Sequence, residues 1–382
     1  MQELDCGVEF DPAREAECFA AMPARPGVFL IELCASADHP NPQPYLARTA
    51  DLRRAAERLL RAPEESSKRL NLREVAGFIR YRVTGSKFEQ ALTLYQQSLV
   101  HFPRRYRDRM RLRPPALLKV NLRNEYPRCY VTRRILADGG CYFGPFASRR
   151  SAETFANEFL DLFKMRRCQI KIRRDPAFPG CIYSEMKMCL APCFAGCTKE
   201  EYDVEVGRVL ETLGSGGATL TGGLEREREA ASEALDFERA AALHKKLERI
   251  AGVLRELPEL ARRVEELTAV ILQRAAEENA VAVFVARGGI IADPFLLRFT
   301  ELSSQPRSVE TILRQQLGTA PEPVESRPAE ALGDNLSLLA RWFYSKPREG
   351  EIFFPSPGWP YRRIIRACSR LLAPPAEPVP PG

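Results

Sequence analysis

Four cysteines, Cys168, Cys181, Cys189 and Cys193, have twelve, seven and three residues between them, and Pro192 directly precedes the last. Four thiolates suit zinc or an iron–sulfur cluster, because soft sulfur ligands select those centres over calcium or magnesium. No histidine lies nearby to complete a mixed zinc site, and the paired CxxC of a zinc knuckle is absent. Irregular spacing of this kind fits a cubane held by separate loops better than a tetrahedral zinc ribbon. Cys197 remains as a spare or substitute ligand. The competing reading is a set of buried, unligated thiols packing as small hydrophobes. That plainer reading is adopted for Cys6, Cys18, Cys34, Cys129, Cys141 and Cys368.

A second constellation lies just upstream. Between His101 and Arg134, the basic residues Arg104, Arg105, Arg107, Arg109, Arg111, Arg113, Lys119, Arg123, Arg128, Arg133 and Arg134 are opposed only by Asp108 and Glu125. Phe102, Tyr106, Tyr126 and Tyr130 are interleaved with them, which suits phosphate neutralisation and stacking on exposed or distorted bases. DNA is the expected partner, through Arg104, Arg105, Arg107, Arg109, Arg111, Arg113, Arg133 and Arg134. The tyrosines taken one by one are expected in the core.

The elements that must hold these groups follow from local pattern. GVFLIEL from Gly27, a Pro-rich turn and YLAR predict a hairpin; Asp51 caps DLRRAAERLLR, and FIRYRVT alternates like a strand. ALLKVNL and RCYVTRRIL are β-leaning, CYFGPF reads as turn-rich, and Ser151 is the expected cap of an amphipathic stretch ending near Phe163. GSGGATLTGG reads as a flexible spacer. Beyond it, two charged helices should form a hairpin joined at Leu235 and Asp236, with Asp236 capping the second. Ala240, Leu243, Leu247, Ile250 and Leu254 lay one apolar seam along that second rod. AVAVFVARGG from Ala280 opens a strand-rich piece that runs on to a Pro-rich tail. No internal repeat is evident.

A chain of 382 residues is long enough for two or three domains. Its net charge of +7 is modest, so where the charge lies matters more than its total. The longest apolar run, near Val281 to Val285, is strand-length, which implies no membrane partner. Eleven cysteines without an export signal imply the reducing cytoplasm.

CIYSEMKMCLAPCFAG, preceded by LFKMRRC, resembles the UvrC family segment that supplies a four-cysteine iron–sulfur cluster. AASEALDFERAAALHKKLERI resembles the UVR motif, the helical hairpin through which UvrC contacts UvrB. PGVFLIEL, PYLARTADLRRAAERLL and CYFGPF fall in the order of the family's N-terminal GIY-YIG nuclease and its basic extension. FVARGGIIADPFLLRF looks like the opening strands of its RNase H-like second nuclease. The resemblance implies a 4Fe-4S cluster, with zinc as the alternative, on Cys168, Cys181, Cys189 and Cys193. It implies UvrB binding through Leu235, Asp236, Phe237, Glu238, Arg239, Ala240 and Ala241.

The resemblance also exposes departures. Tyr95, in ALTLY, occupies the position of the family's metal-binding glutamate, and a phenol cannot replace that carboxylate. Phe29, Arg48 and Arg107 replace a tyrosine, a lysine and an asparagine, and Ala47 stands for a glycine; only Tyr45 and Arg53 survive. The stretch given ends before the second nuclease's acidic residues, and Asp293 and Asp334 fall in no recognisable motif. No catalytic magnesium or manganese site is therefore expected.

The expected fold is an α+β multidomain protein. Residues 20–102 form a degenerate GIY-YIG-like domain, 103–163 a basic extension and 164–200 the cysteine region. Residues 218–257 form the UVR hairpin, 266–372 a partial RNase H-like piece and 373–382 a disordered tail. The expected function is a nucleotide-excision-repair protein that binds DNA and UvrB without incising. One alternative is an active metal-dependent endonuclease of the excinuclease complex, its metal site rebuilt with a carboxylate such as Glu57 or Glu89. Another is a metal- or redox-sensing DNA-binding regulator.

Overall fold

The computed structural model describes residues 2–35, 40, 42–62, 69–299, 308–318 and 328–373. Among them the strands form three antiparallel sheets. The first contains β1 (Cys6–Glu9), β2 (Gly27–Leu33), β3 (Tyr45–Thr49) and β4 (Ala76–Val83) in the order β1-β4-β2-β3. Alternation along β2 sends Phe29 and Ile31 to one face and Val28 and Leu30 to the other. The Phe29 face is covered by helices α1 (Glu15–Ala21) and α2 (Leu52–Leu60). The predicted apolar residues of α2, from Leu52 to Leu60, are buried there, and Asp51 caps it by accepting from the Arg54 amide at 2.9 Å. Helix α3 (Lys87–His101), capped by Ser86, contacts the sheet with one side. Its other side, carrying Phe88, Leu92 and Tyr95, enters a core shared with the rest of the chain.

The short α4 (Tyr106–Met110) leads into the second sheet, β5 (Ala116–Val120), β6 (Cys129–Thr132), β7 (Cys141–Phe146) and β8 (Arg262–Arg263), in the order β6-β5-β7-β8. CYFGPF is thus a buried strand and not a turn. Gly144 accepts an extended positive φ of 153°, and the pairing with β5 absorbs an irregularity at Ala116/Leu118, so the Gly-Pro pair stays inside the sheet. Helix α5 (Arg149–Leu160) covers this sheet with Ala152, Phe155, Ala156, Phe159 and Leu160. Its cap is Ser148; Ser151, expected in that role, closes the capping box three residues on.

After α6 (Ile182–Glu185), α7 (Lys199–Gly214) is followed by α8 (Ala218–Glu233) and α9 (Phe237–Arg255). The expected flexible spacer is mostly helix, because α8 already starts at Ala218 and runs through Gly222 and Gly223. Packing against α9 offsets the roughly 1 kcal/mol that each interior glycine costs a helix. The hairpin itself turns as expected, with Leu235 at φ 59° and the Asp236 carboxylate accepting from the Arg239 amide at 3.1 Å.

The third sheet, β9 (Ala269–Arg274), β10 (Ala280–Arg287), β11 (Ile290–Ile291), β12 (Phe295–Arg298) and β13 (Glu351–Phe353), has β9 and β10 at its centre. In β10, Val281, Val283 and Val285 pack with α10 (Val309–Leu317) and α12 (Tyr361–Leu372). Ala282, Phe284 and Ala286 pack with α11 (Ala329–Phe343) and with Phe88 of α3. This region, read as strand-rich, therefore carries helices on both faces, since a strand apolar on both sides needs two covers. The Pro-rich tail lies outside the described residues after Ala373. No helix among the described residues is long and apolar enough to cross a membrane.

Candidate functional site

The cysteine region is loop, held from beneath. Cys168 lies in the chain leaving α5, Cys181 directly precedes α6, and Cys193 sits in a short turn between Ala191 and Ala195, both left-handed. Buried Arg166 braces the loop at Cys168. Its Nε donates to the Tyr126 carbonyl at 2.8 Å, and one terminal nitrogen donates to the Cys168 and Ile170 carbonyls at 3.1 and 3.0 Å. The same nitrogen lies 3.7 Å from Cys168 Sγ, and the Ala191 amide donates to Cys189 Sγ at 3.3 Å. Burial first, then the neighbouring Cys168, Cys193 and Cys181, pushes the Cys189 thiol up to about 11. Cys168, Cys193 and Cys181 thus bear electrostatically on Cys189, but no three metal-binding side chains among the described residues close on one ion. Two of the four sulfurs, those of Cys168 and Cys189, have N–H donors beside them, which lowers the cost of negative charge on sulfur there. Cys197 is instead buried in the core with Tyr202 and Val206.

The nuclease-like positions divide between two cores. Phe29 packs 6.0 Å from Tyr45 on the first sheet, and Arg48 is exposed. Arg53 caps the end of α1, donating to the Met22 and Ala20 carbonyls at 2.9 and 3.4 Å. Tyr95 is buried elsewhere, edge-on to Tyr106 at 6.0 Å. Tyr106 donates to Asp334 Oδ2 at 2.6 Å, and Arg107 donates to Asp334 at 3.0 and 3.2 Å and to Glu330 at 3.4 Å. Burial and the Asp334 charge push the Tyr95 hydroxyl well above its ordinary value. Glu57 pairs with Arg61 at 3.7 Å, and buried Glu89 accepts from the Gly85 amide at 2.8 Å. Asp334 was missed as a partner. Its signal was available: a carboxylate four residues before Leu338, on the apolar face of an amphipathic helix.

The basic stripe is uneven. Arg104, Arg105, Arg111, Arg113, Arg133 and Arg134 are exposed, whereas Arg107 is engaged by Asp334. Arg109 lies over the Phe102 ring at 3.9 Å, and Lys119 pairs with Asp138 inside the second sheet. Phe102, Tyr106 and Tyr126 are buried, as the core reading expected, and Tyr130 is half-buried beneath Arg128. At the hairpin tip, Leu235 and Phe237 are 72% and 65% exposed. Asp236, Glu238, Arg239 and Ala241 are exposed beside them, and Ala240 is half-buried on the seam.

Residues 116–212 match the family described as the UvrC/Cho excinuclease middle domain, and residues 220–252 match the UvrB/uvrC motif. These matches define the class as a protein built from that middle domain followed by a paired-helix motif. The UvrABC system protein C of Moorella thermoacetica is 26% identical over 341 residues, covering 88% of this chain and 54% of that protein. That of Carboxydothermus hydrogenoformans is 27% identical over 348 residues, covering 87% and 55%. That of Oleidesulfovibrio alaskensis is 28% identical over 305 residues, covering 78% and 42%. Through these matches the chain is similar to the UvrC family over most of its length. It spans about half the length of the curated relatives it matches. No solved structure matches it.

Proposed function

We propose that this chain is a nucleotide-excision-repair protein that binds DNA and docks UvrB through the α8–α9 hairpin without cutting DNA itself. The observation that carries the non-cutting half is Tyr95: at the position where the resemblance puts a metal-binding glutamate, a phenol is closed in with Tyr106 and Asp334. Phosphodiester hydrolysis needs a metal to neutralise developing charge and a group to activate water. Neither Arg53, engaged by two carbonyls, nor half-buried Tyr45 supplies a carboxylate. The binding half rests on the exposed arginines and on the exposed Leu235–Phe237 tip. In this reading the first sheet is a degenerate GIY-YIG-like unit, the third a partial RNase H-like one, and the boundaries are those given above.

The cofactor belongs to the same reading. Cys168, Cys181, Cys189 and Cys193 would hold a 4Fe-4S cluster, supplying a cross-link among loops that have little regular structure of their own. Anaerobically purified protein is expected to contain iron and to absorb in the visible, with both lost in Cys189→Ser; zinc without iron selects the alternative.

The test is magnesium- or manganese-dependent incision of a lesion-bearing duplex, with and without UvrB, beside a DNA-binding titration of the same samples. Binding without incision is expected. Incision that vanishes on Arg53→Ala overturns the reading and restores the endonuclease.

A further inference from the structure

Arg341, on α11, is the shared wall of two hollows. One, of about 290 Å³, is lined by Arg111, Arg113, Arg133, Ser148 and Tyr344, and no carboxylate is among its lining residues. The other, of about 240 Å³, is lined by Arg48, Lys87, Trp342 and Lys346. Its carboxylate, Glu349, is occupied by Lys87, accepting from both the backbone amide and the side-chain ammonium at 3.1 Å. Arg48, Arg111, Arg113, Arg133 and Arg341 form no ion pair among the described residues.

The walls are fixed from distant parts of the chain. Arg341 donates to the Arg111 carbonyl at 2.8 Å, Ser337 to the Arg113 carbonyl at 2.9 Å and Tyr344 to the Pro145 carbonyl at 2.8 Å. Arg111 itself is left-handed, at φ 51°. The Arg48 charge bears on Arg341, adding to burial in disfavouring its charged form. Guanidinium groups remain charged at any ordinary pH, so a concave cluster of them without carboxylates is stabilised by an anion with several acceptor oxygens.

We propose that this cleft seats the phosphodiester backbone of DNA, with Arg111, Arg113 and Arg133 on one phosphate, Arg48 on a neighbouring one and Arg341 between them. The proposal rests on the DNA-binding reading and sharpens it, selecting Arg111, Arg113 and Arg133 from the stripe and adding Arg48 and Arg341 from outside it.

The test titrates a labelled DNA duplex with the full chain over a range of salt, comparing Arg48→Gln, Arg133→Gln and Arg341→Gln with Arg58→Gln, an exposed control on α2. Each cleft variant is expected to weaken binding about tenfold and to lower the slope of log affinity against log salt by about one, with the control unchanged. Arg341 also braces Arg111, so a lowered unfolding midpoint is expected to be confined to that variant, leaving Arg48→Gln and Arg133→Gln decisive. Wild-type affinity in those two overturns the proposal while the DNA reading stands. A wild-type chain that binds no DNA overturns both. Tighter binding to vesicles of anionic lipid than to DNA, lost in the same variants, overturns it in favour of a membrane surface.

Discussion

Arg107 and Arg111 lie one helical turn apart, yet their surroundings are opposite. Arg107 is locked with Tyr106 onto Asp334, a carboxylate 227 residues away, in a closed knot that also encloses Tyr95. Arg111, past the end of α4, opens into a hollow lined by arginines and no acid. The hairpin tip is open in the same sense, with Leu235 and Phe237 largely exposed. The contrast teaches that a run of basic residues has no single role: a buried acceptor converts one member into a structural tie and leaves the next available for a partner.

The largest effect expected from breaking this contrast is at the knot. Asp334→Ala leaves Tyr106 and Arg107 without their acceptor and should lower stability by about 3 kcal/mol, read by denaturant unfolding. The figure is at the low end for a buried pair because the Arg107 side chain is 39% exposed. Unchanged stability would mean that the knot does not hold α11. At the open tip, Phe237→Ala should weaken UvrB binding about thirtyfold while leaving the unfolding midpoint in place. A lowered midpoint with intact UvrB binding would make Phe237 a core residue of this chain instead. The smallest effect probes a fully closed group. Burial pushes the Cys129 thiol from 9.0 up to about 12. The unfolded chain ionises it from about pH 9 and the folded chain only near pH 12, so its contribution is complete below pH 9 and declines between those values. By pH 10 the decline should be roughly 1 kcal/mol, and Cys129→Ala should remove that share of the alkaline loss.

Elements with local signals were legible. The period-2 alternation of FIRYRVT, which falls in β4, the Asp51 and Asp236 caps and the helix that carries the α9 seam, with Ile250 buried on it, correspond to the folded chain. CYFGPF and ATLTGG were misread because glycine and proline were weighed as turn formers, while strand pairing with β5 and helix packing on α9 outweighed those preferences. Of the site, spacing singled out the four cysteines, but Arg166 beside Cys168 was not legible: nothing adjacent in sequence identifies it as the donor to the Cys168 and Tyr126 carbonyls.

The sequence by itself determined where α2, α9 and the hairpin turn between α8 and α9 fall, with the Asp51 and Asp236 caps, because those depend on residues within a few positions of each other. Only the tertiary structure decided that Tyr95 would be sealed beside Asp334, that Arg53 would cap a helix, and that Arg341 would form the shared wall between a hollow lined by Arg111, Arg113 and Arg133 and another lined by Arg48. Charge pairing and burial act through space, and Tyr106 meets Asp334 across 228 residues of chain, so no local pattern specifies which charges are neutralised and which stay open.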